Sequence, residues 1–78
     1  MTPQEKKEQF IQELTKRIED RFGNNLTVRF ETCSQAPSFG WSVEEHMYMP
    51  IVASRLRDKG YSVTSSVNWG VTDWIIAV

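Results

Sequence analysis

The chain has 78 residues, of which 40% are hydrophobic and 12% aromatic, with nine Lys and Arg against ten Asp and Glu. This length fits a single domain over residues 1–78 and excludes a second one. The near balance of charge argues against an acidic mimic of nucleic acid and provides no long-range field towards phosphate or anionic lipid.

The first predicted element is a helix over residues 3–22. Thr2 and Glu5 form a capping-box pattern around Pro3, and proline suits the first helical position. Apolar residues then recur at every fourth position and predict one buried stripe, made of Phe10, Leu14, Ile18 and Phe22. Gly23 follows this stripe as a left-handed helix stop.

A strand is predicted next, over residues 26–33. Leu26, Val28 and Phe30 alternate with polar residues, which is the two-residue period of a half-buried strand. The segment 34–41 contains Pro37 and Gly40 and is predicted to be a loop.

The second helical unit is predicted in two pieces, over 42–48 and 50–59. Ser42 begins a second capping box, but Pro50 lies inside the helix that would follow and removes one of its hydrogen bonds. Val43 and Met47 also point away from the apolar stripe of the second piece. The residue before a proline disfavours helical angles, so the break is predicted at Met49. Gly60 caps the second piece.

Two strands complete the chain. Alternation predicts strand 2, with one set of residues on the same face of the strand: Tyr61, Val63, Ser65, Val67 and Trp69. Gly70, with Thr72 and Asp73, is predicted to form the turn. Strand 3 then runs to the end of the chain with Trp74, Ile76 and Val78 facing the core.

These elements predict an α+β fold with the order α-β-α-β-β. The helical crossover from strand 1 to strand 2 favours a parallel relation between them, and strand 3 between them gives the sheet order 1-3-2. Helices are expected on the sheet face that carries Phe30, Val63, Trp74 and Ile76. The other face is expected to stay open, with Thr27, Arg29, Glu31, Ser62, Thr64, Ser66, Ile75 and Ala77.

The sequence has few candidate residues for catalysis or metal binding. Cys33 and His46 are the one thiol and the one imidazole, so only they could form a cysteine–histidine pair. Three ligands at Glu44, Glu45 and His46 could not converge on one ion, because neighbouring helical residues point about 100° apart. We therefore expect no enzyme activity, no metal and no cofactor. The charged first ten residues and the absence of a long apolar run predict a soluble cytoplasmic protein without membrane association.

Nucleic-acid binding is the alternative function. Its candidate residues are Arg29 on the open sheet face and a cluster of Arg55, Arg57 and Lys59 near the end of the second helical unit. Cations in a last helical turn are also explained by the helix dipole, and Asp58 dilutes the cluster.

Protein binding is the favoured hypothesis. Ser38, Phe39 and Trp41 lie in the predicted loop, where binding residues are often displayed, and interfaces are enriched in aromatic side chains. The two aromatic residues could equally form a lid on the core. The chain is thus interpreted as a small non-enzymatic domain that occupies a partner protein's surface. Such domains are frequent among accessory and inhibitory proteins of phages and mobile elements.

Overall fold

The computed structural model describes residues 2–78 as two helices and three strands. In chain order these are α1 (Pro3–Asp20), β1 (Thr27–Cys33), a 3-10 turn (Ser38–Gly40), α2 (Val43–Asp58), β2 (Ser62–Asn68) and β3 (Val71–Ala77). The predicted α-β-α-β-β order is confirmed.

Helix α1 begins as the capping box predicts. The Thr2 hydroxyl accepts a hydrogen bond from the Glu5 N–H at 3.2 Å, with Pro3 in the first turn. The helix ends at Asp20, two residues earlier than predicted, but Phe22 still reaches the core from the turn that follows. The stripe of α1 therefore anchors the helix on the rest of the domain.

The predicted break near Pro50 is wrong. Helix α2 is continuous, with Pro50 in its interior and Met49 fully buried. An interior proline costs about 3 kcal/mol, but each fully buried large apolar side chain returns roughly 1.5–3 kcal/mol. The positions of Val43 and Met47 on the helix suggested a separate helical piece, but both side chains are exposed on the outer face of the one helix. The cost of Pro50 is thus exceeded by one buried stripe: Met49, Val52, Ala53 and Leu56.

The sheet has the predicted order β1-β3-β2, with β3 antiparallel to both neighbours. Residue Ile76 of β3 lies opposite Val28 of β1 and Val63 of β2, and all three belong to the core beneath the helices. Phe30 and Trp74 pack against that core, as predicted. β1 and β2 are the two edges of the sheet and run parallel to each other.

The structure differs from the sequence prediction at both ends of the sheet. The turn between β2 and β3 consists of Trp69 and Gly70 alone, so Trp69 leaves the strand, and Thr72 and Asp73 belong to β3. Leu26 and Val78 are exposed rather than buried. They lie next to each other just outside the paired strands, where the Val78 N–H donates to the Leu26 carbonyl and no helix covers them.

The face of the sheet away from the helices is open and mostly polar. Arg29 crosses from β1 to Asp73 of β3 at 2.9 Å, and Ile75 is exposed in the middle strand. Over residues 2–78, neither helix has the length and apolar character that crossing a bilayer requires.

Candidate protein-binding surface

The loop after β1 is joined to the turn between β2 and β3. The backbone N–H and the hydroxyl of Ser34 both donate to the carbonyl oxygen of Gly70, at 2.9 and 3.2 Å. The loop then folds through successive tight turns, in which Ser38 N–H donates to Gln35 and Trp41 N–H to Ser38. These bonds hold the loop at the same end of the sheet as the turn.

Phe39 stands in solvent at this end. Its side chain is 90% exposed, and its backbone has φ 60° and ψ 23°, the left-handed region that bulky residues rarely adopt. Ser38 is also exposed, whereas Trp41 is half-buried. The sequence leaves open whether Phe39 and Trp41 are exposed contacts or a lid on the core. In the structure Phe39 is exposed, and Trp41 is partly covered.

Trp69 is a second exposed aromatic residue that the sequence analysis missed. It is 90% exposed and has φ 56° in the two-residue turn. The alternation of β2 continues in phase through Trp69, so periodicity alone could not show where the strand ends. The available signal was the tryptophan directly before Gly70, because a glycine in that place is typical of a two-residue turn.

Further exposed apolar side chains lie in the chain segments next to these two aromatic residues. Val67 lies on the helix-covered side of the sheet near the turn, yet it is 70% exposed. Val43 and Met47 are exposed near the start of α2, which follows the loop directly. We call the set formed by Ser38, Phe39, Trp41, Val67 and Trp69 the loop–turn surface.

The loop–turn surface is also free of charge in its sequence. Residues 32–43 around the loop and residues 66–72 around the turn contain no Asp, Glu, Lys, Arg or His. The core of a protein interface is typically depleted of charge and enriched in aromatic residues. The composition of this end of the domain therefore matches an interface better than an ordinary solvated surface.

The structure does not bring Cys33 and His46 together. Cys33 is 3% exposed and its Sγ accepts the Gln35 N–H at 3.4 Å. Its neighbour Thr32 faces the helices and binds Trp74, so Cys33 points to the opposite side of the sheet. His46 lies on α2, with its Nδ1 buried and without a partner. Within residues 2–78, no group of three or more His, Cys, Asp and Glu side chains could hold a metal ion.

The four cations of the nucleic-acid hypothesis each bind another group of the domain. Arg55 forms two hydrogen bonds with Glu8, at 2.9 and 2.6 Å, and Lys59 binds Glu19 at 2.8 Å. Arg57 donates to the carbonyl of Val63, while Arg29 binds Asp73 on the open sheet face, away from the helices. A phosphate group would have to compete with these partners, and the four cations do not share one face.

The ion pairs between the helices shift the ionisation of their members. The hydrogen bond from Arg55 lowers the pKa of Glu8, and the one from Lys59 lowers the pKa of Glu19. Both cations line a groove of about 430 Å³ between α1 and α2. The charged groups of this groove therefore have most of their partners within the domain. The exposed aromatic residues of the loop–turn surface, in contrast, are not covered by other residues of the domain.

No protein-family model, curated protein or solved structure matches this chain. No functional residue is therefore assigned through a relative. The role of the loop–turn surface has to be inferred from its own exposure, backbone conformation and charge.

Proposed function

We propose that this domain is a non-enzymatic binding protein that attaches to a partner protein through the loop–turn surface. The observation that carries the proposal is Phe39. A left-handed backbone costs about 1–2 kcal/mol for a residue other than glycine, and an exposed phenyl ring recovers none of this by burial. Folding thus gives no reason for a phenylalanine here, whereas contact with a partner does.

The geometry suggests how the partner is held. Phe39 and Trp69 protrude from two backbone segments that the Ser34–Gly70 hydrogen bonds keep together. Anchors that are fixed before binding lose little conformational freedom in the complex. The uncharged surroundings fit an apolar patch on the partner, and we expect Phe39 to be a dominant contributor to the binding energy.

Occupation of the partner's surface is the mode of action that follows from this arrangement. A cytoplasmic location is part of the same proposal, and the free, buried thiol of Cys33 is compatible with it. Neither a substrate nor a cofactor is part of this proposal.

The test begins with capture from an extract of the source cells on the immobilised domain. The Phe39→Ala domain is compared with wild type and with the Leu26→Ala domain, which removes another exposed apolar side chain at the opposite end of the sheet. The proposal predicts a stoichiometric protein that is retained by wild type and by Leu26→Ala but lost with Phe39→Ala.

The captured protein is then titrated in purified form. Loss of a dominant anchor should weaken the affinity by about 2 kcal/mol, or roughly 30-fold. Equal affinities for wild type and Phe39→Ala would contradict the assignment of the loop–turn surface as the binding site.

A further inference from the structure

The outer edge of β2 has free backbone hydrogen-bonding groups. At the two ends of the β1–β3 pair, the Val78 N–H donates to the Leu26 carbonyl and the Ser34 N–H donates to the Gly70 carbonyl. The backbone groups of the even-numbered residues of β3 therefore point to β1. The odd-numbered residues of β3 then bond to β2, at its even-numbered positions. It follows that the backbone groups of Val63, Ser65 and Val67 point outward.

One contact supports this assignment of directions. The guanidinium of Arg57 donates to the carbonyl oxygen of Val63 at 2.9 Å, so that oxygen is not engaged by β3. A carbonyl oxygen has two lone pairs and can accept a second hydrogen bond. Ser65 and Val67 lie further along the same edge, towards the turn.

Apart from Arg57 at Val63, the edge of β2 lacks the features that usually prevent strands from adding to a sheet. Charged residues, prolines and bulges protect most exposed edges. Ser62–Asn68 has no charged residue and no proline, and it pairs with β3 one residue to one without a bulge. The other edge strand, β1, carries Arg29 and Glu31.

The sequence of β2 is also close to symmetric about Ser65. Valine lies two residues to either side, at Val63 and Val67, and hydroxyl residues are adjacent, at Thr64 and Ser66. An antiparallel partner with the same sequence would place valine opposite valine and hydroxyl opposite hydroxyl. Self-complementarity of this kind is what a two-fold interface requires.

We propose that a second copy of this chain pairs with the β2 edge, antiparallel, with the two-fold axis at Ser65. Ser65 faces Ser65 of the second copy, and Val63 faces its Val67. The outward N–H and C=O groups of these residues then bond across the axis, and the two sheets become one. Every side chain paired across the axis is neutral. Arg57 of each copy lies at its own Val63, and the two-fold axis places these two residues at opposite ends of the paired segment.

The expected dimer is weak. A pair of short strands buries less surface than the roughly 1,200–2,000 Å² of a stable protein interface. The pairing should therefore appear as a concentration-dependent equilibrium rather than as an obligate dimer. It uses the strand edge and leaves Phe39 and Trp69 free, and Val67 is the one residue that it shares with the loop–turn surface.

Sedimentation equilibrium of the full chain, up to millimolar concentration, tests the proposal. Wild type should show a monomer–dimer equilibrium. Ser65→Lys and Ser65→Glu, each alone, should raise the dissociation constant by about tenfold or more, because like charges face each other at the axis. Ser54→Lys, with the same added charge on an exposed position of α2, should dimerise as wild type does.

Mixing the two charged variants tests the register directly. Ser65→Lys with Ser65→Glu should form a heterodimer, since opposite charges then meet at the axis, and circular dichroism should show both variants folded. A wild type that stays monomeric, a Ser65→Lys variant that dimerises like wild type, or a mixture that does not associate would overturn the proposal. Loss of partner capture by Ser65→Lys in a monomeric wild type would instead assign the edge to a strand of the partner protein.

Discussion

Ser34 and Gly70 hold the loop and the turn together through one carbonyl oxygen, which accepts both the backbone N–H and the hydroxyl of Ser34. The two residues belong to segments that are far apart in the sequence. Antiparallel pairing of Cys33 with Val71 puts Phe39 and Trp69 at one end of the domain, and this contact ties their two segments together.

Substitution of Gly70 by alanine should destabilise the domain and loosen this contact. Gly70 has φ +79°, and an added Cβ would lie 3.0 Å from the Ser34 Oγ. We expect a loss of about 1–2 kcal/mol in the free energy of unfolding, from the left-handed backbone and the displaced hydroxyl. Chemical denaturation measures this loss.

Gly40→Ala is the matched control for that measurement. Gly40 has φ +81°, close to that of Gly70, but no atom lies within 4 Å of the Cβ position. It should show the backbone strain without the displaced hydroxyl, and thus a smaller loss than Gly70→Ala. Equal losses in the two variants would mean that the Ser34 hydroxyl contributes nothing.

Replacement of Pro50 by alanine should stabilise the domain. Pro50 is exposed, lies in the interior of α2 and cannot donate a backbone hydrogen bond to the carbonyl of His46. Alanine restores that donor and is a far better helix former, so we expect a gain of about 1–2 kcal/mol in the free energy of unfolding. Thermal and chemical denaturation report this gain, and a loss of stability would show that the helix depends on the proline ring.

The sequence predicts much of the fold because its signals are local. Thr2 and Ser42 mark helix starts through their own side chains, and the alternation of β1 and β3 shows which residues face the helices. Strand order follows from one helical crossover and one short turn. The structure confirms each of these features.

The sequence predictions are wrong where tertiary packing or an unusual backbone conformation determines the structure. The Pro50 break fails because Met49 and its neighbours are buried against other elements, a gain that local propensity does not include. Trp69 is misplaced because its side chain keeps the phase of β2 while its backbone turns. The partners of Arg55 and Lys59, which are Glu8 and Glu19 on the other helix, have no local signal at all.

The ion pair of Glu19 should make stability depend on pH in the acid range. Lys59 and Tyr61 both donate to this carboxylate, at 2.8 and 3.0 Å, and the pKa of Glu19 is lowered from its ordinary value of 4.5. The folded state therefore holds the ionised form more strongly than the unfolded state does. This contribution to stability is complete above about pH 4.5 and is lost as the pH falls through the folded-state pKa.

Glu19→Gln isolates this contribution. The variant should be less stable than wild type at neutral pH by roughly 0.5–1 kcal/mol, the range of a partly exposed pair screened by solvent, and the difference should shrink as both proteins are acidified. Asp58→Asn makes the same chemical change at an exposed carboxylate for which the described structure shows no ion pair, and it should cost no stability at neutral pH. A Glu19→Gln deficit that does not change with pH would contradict the assignment.

The most direct test of the claim that Phe39 serves binding rather than folding is the free energy of unfolding of the Phe39→Gly domain. Glycine relieves the left-handed backbone, and the exposed phenyl ring contributes no burial. We predict a free energy of unfolding equal to that of wild type or higher by up to about 1 kcal/mol. A loss of about 2 kcal/mol or more, which is typical of removing a buried aromatic side chain, would show that Phe39 is part of the core and would contradict the claim.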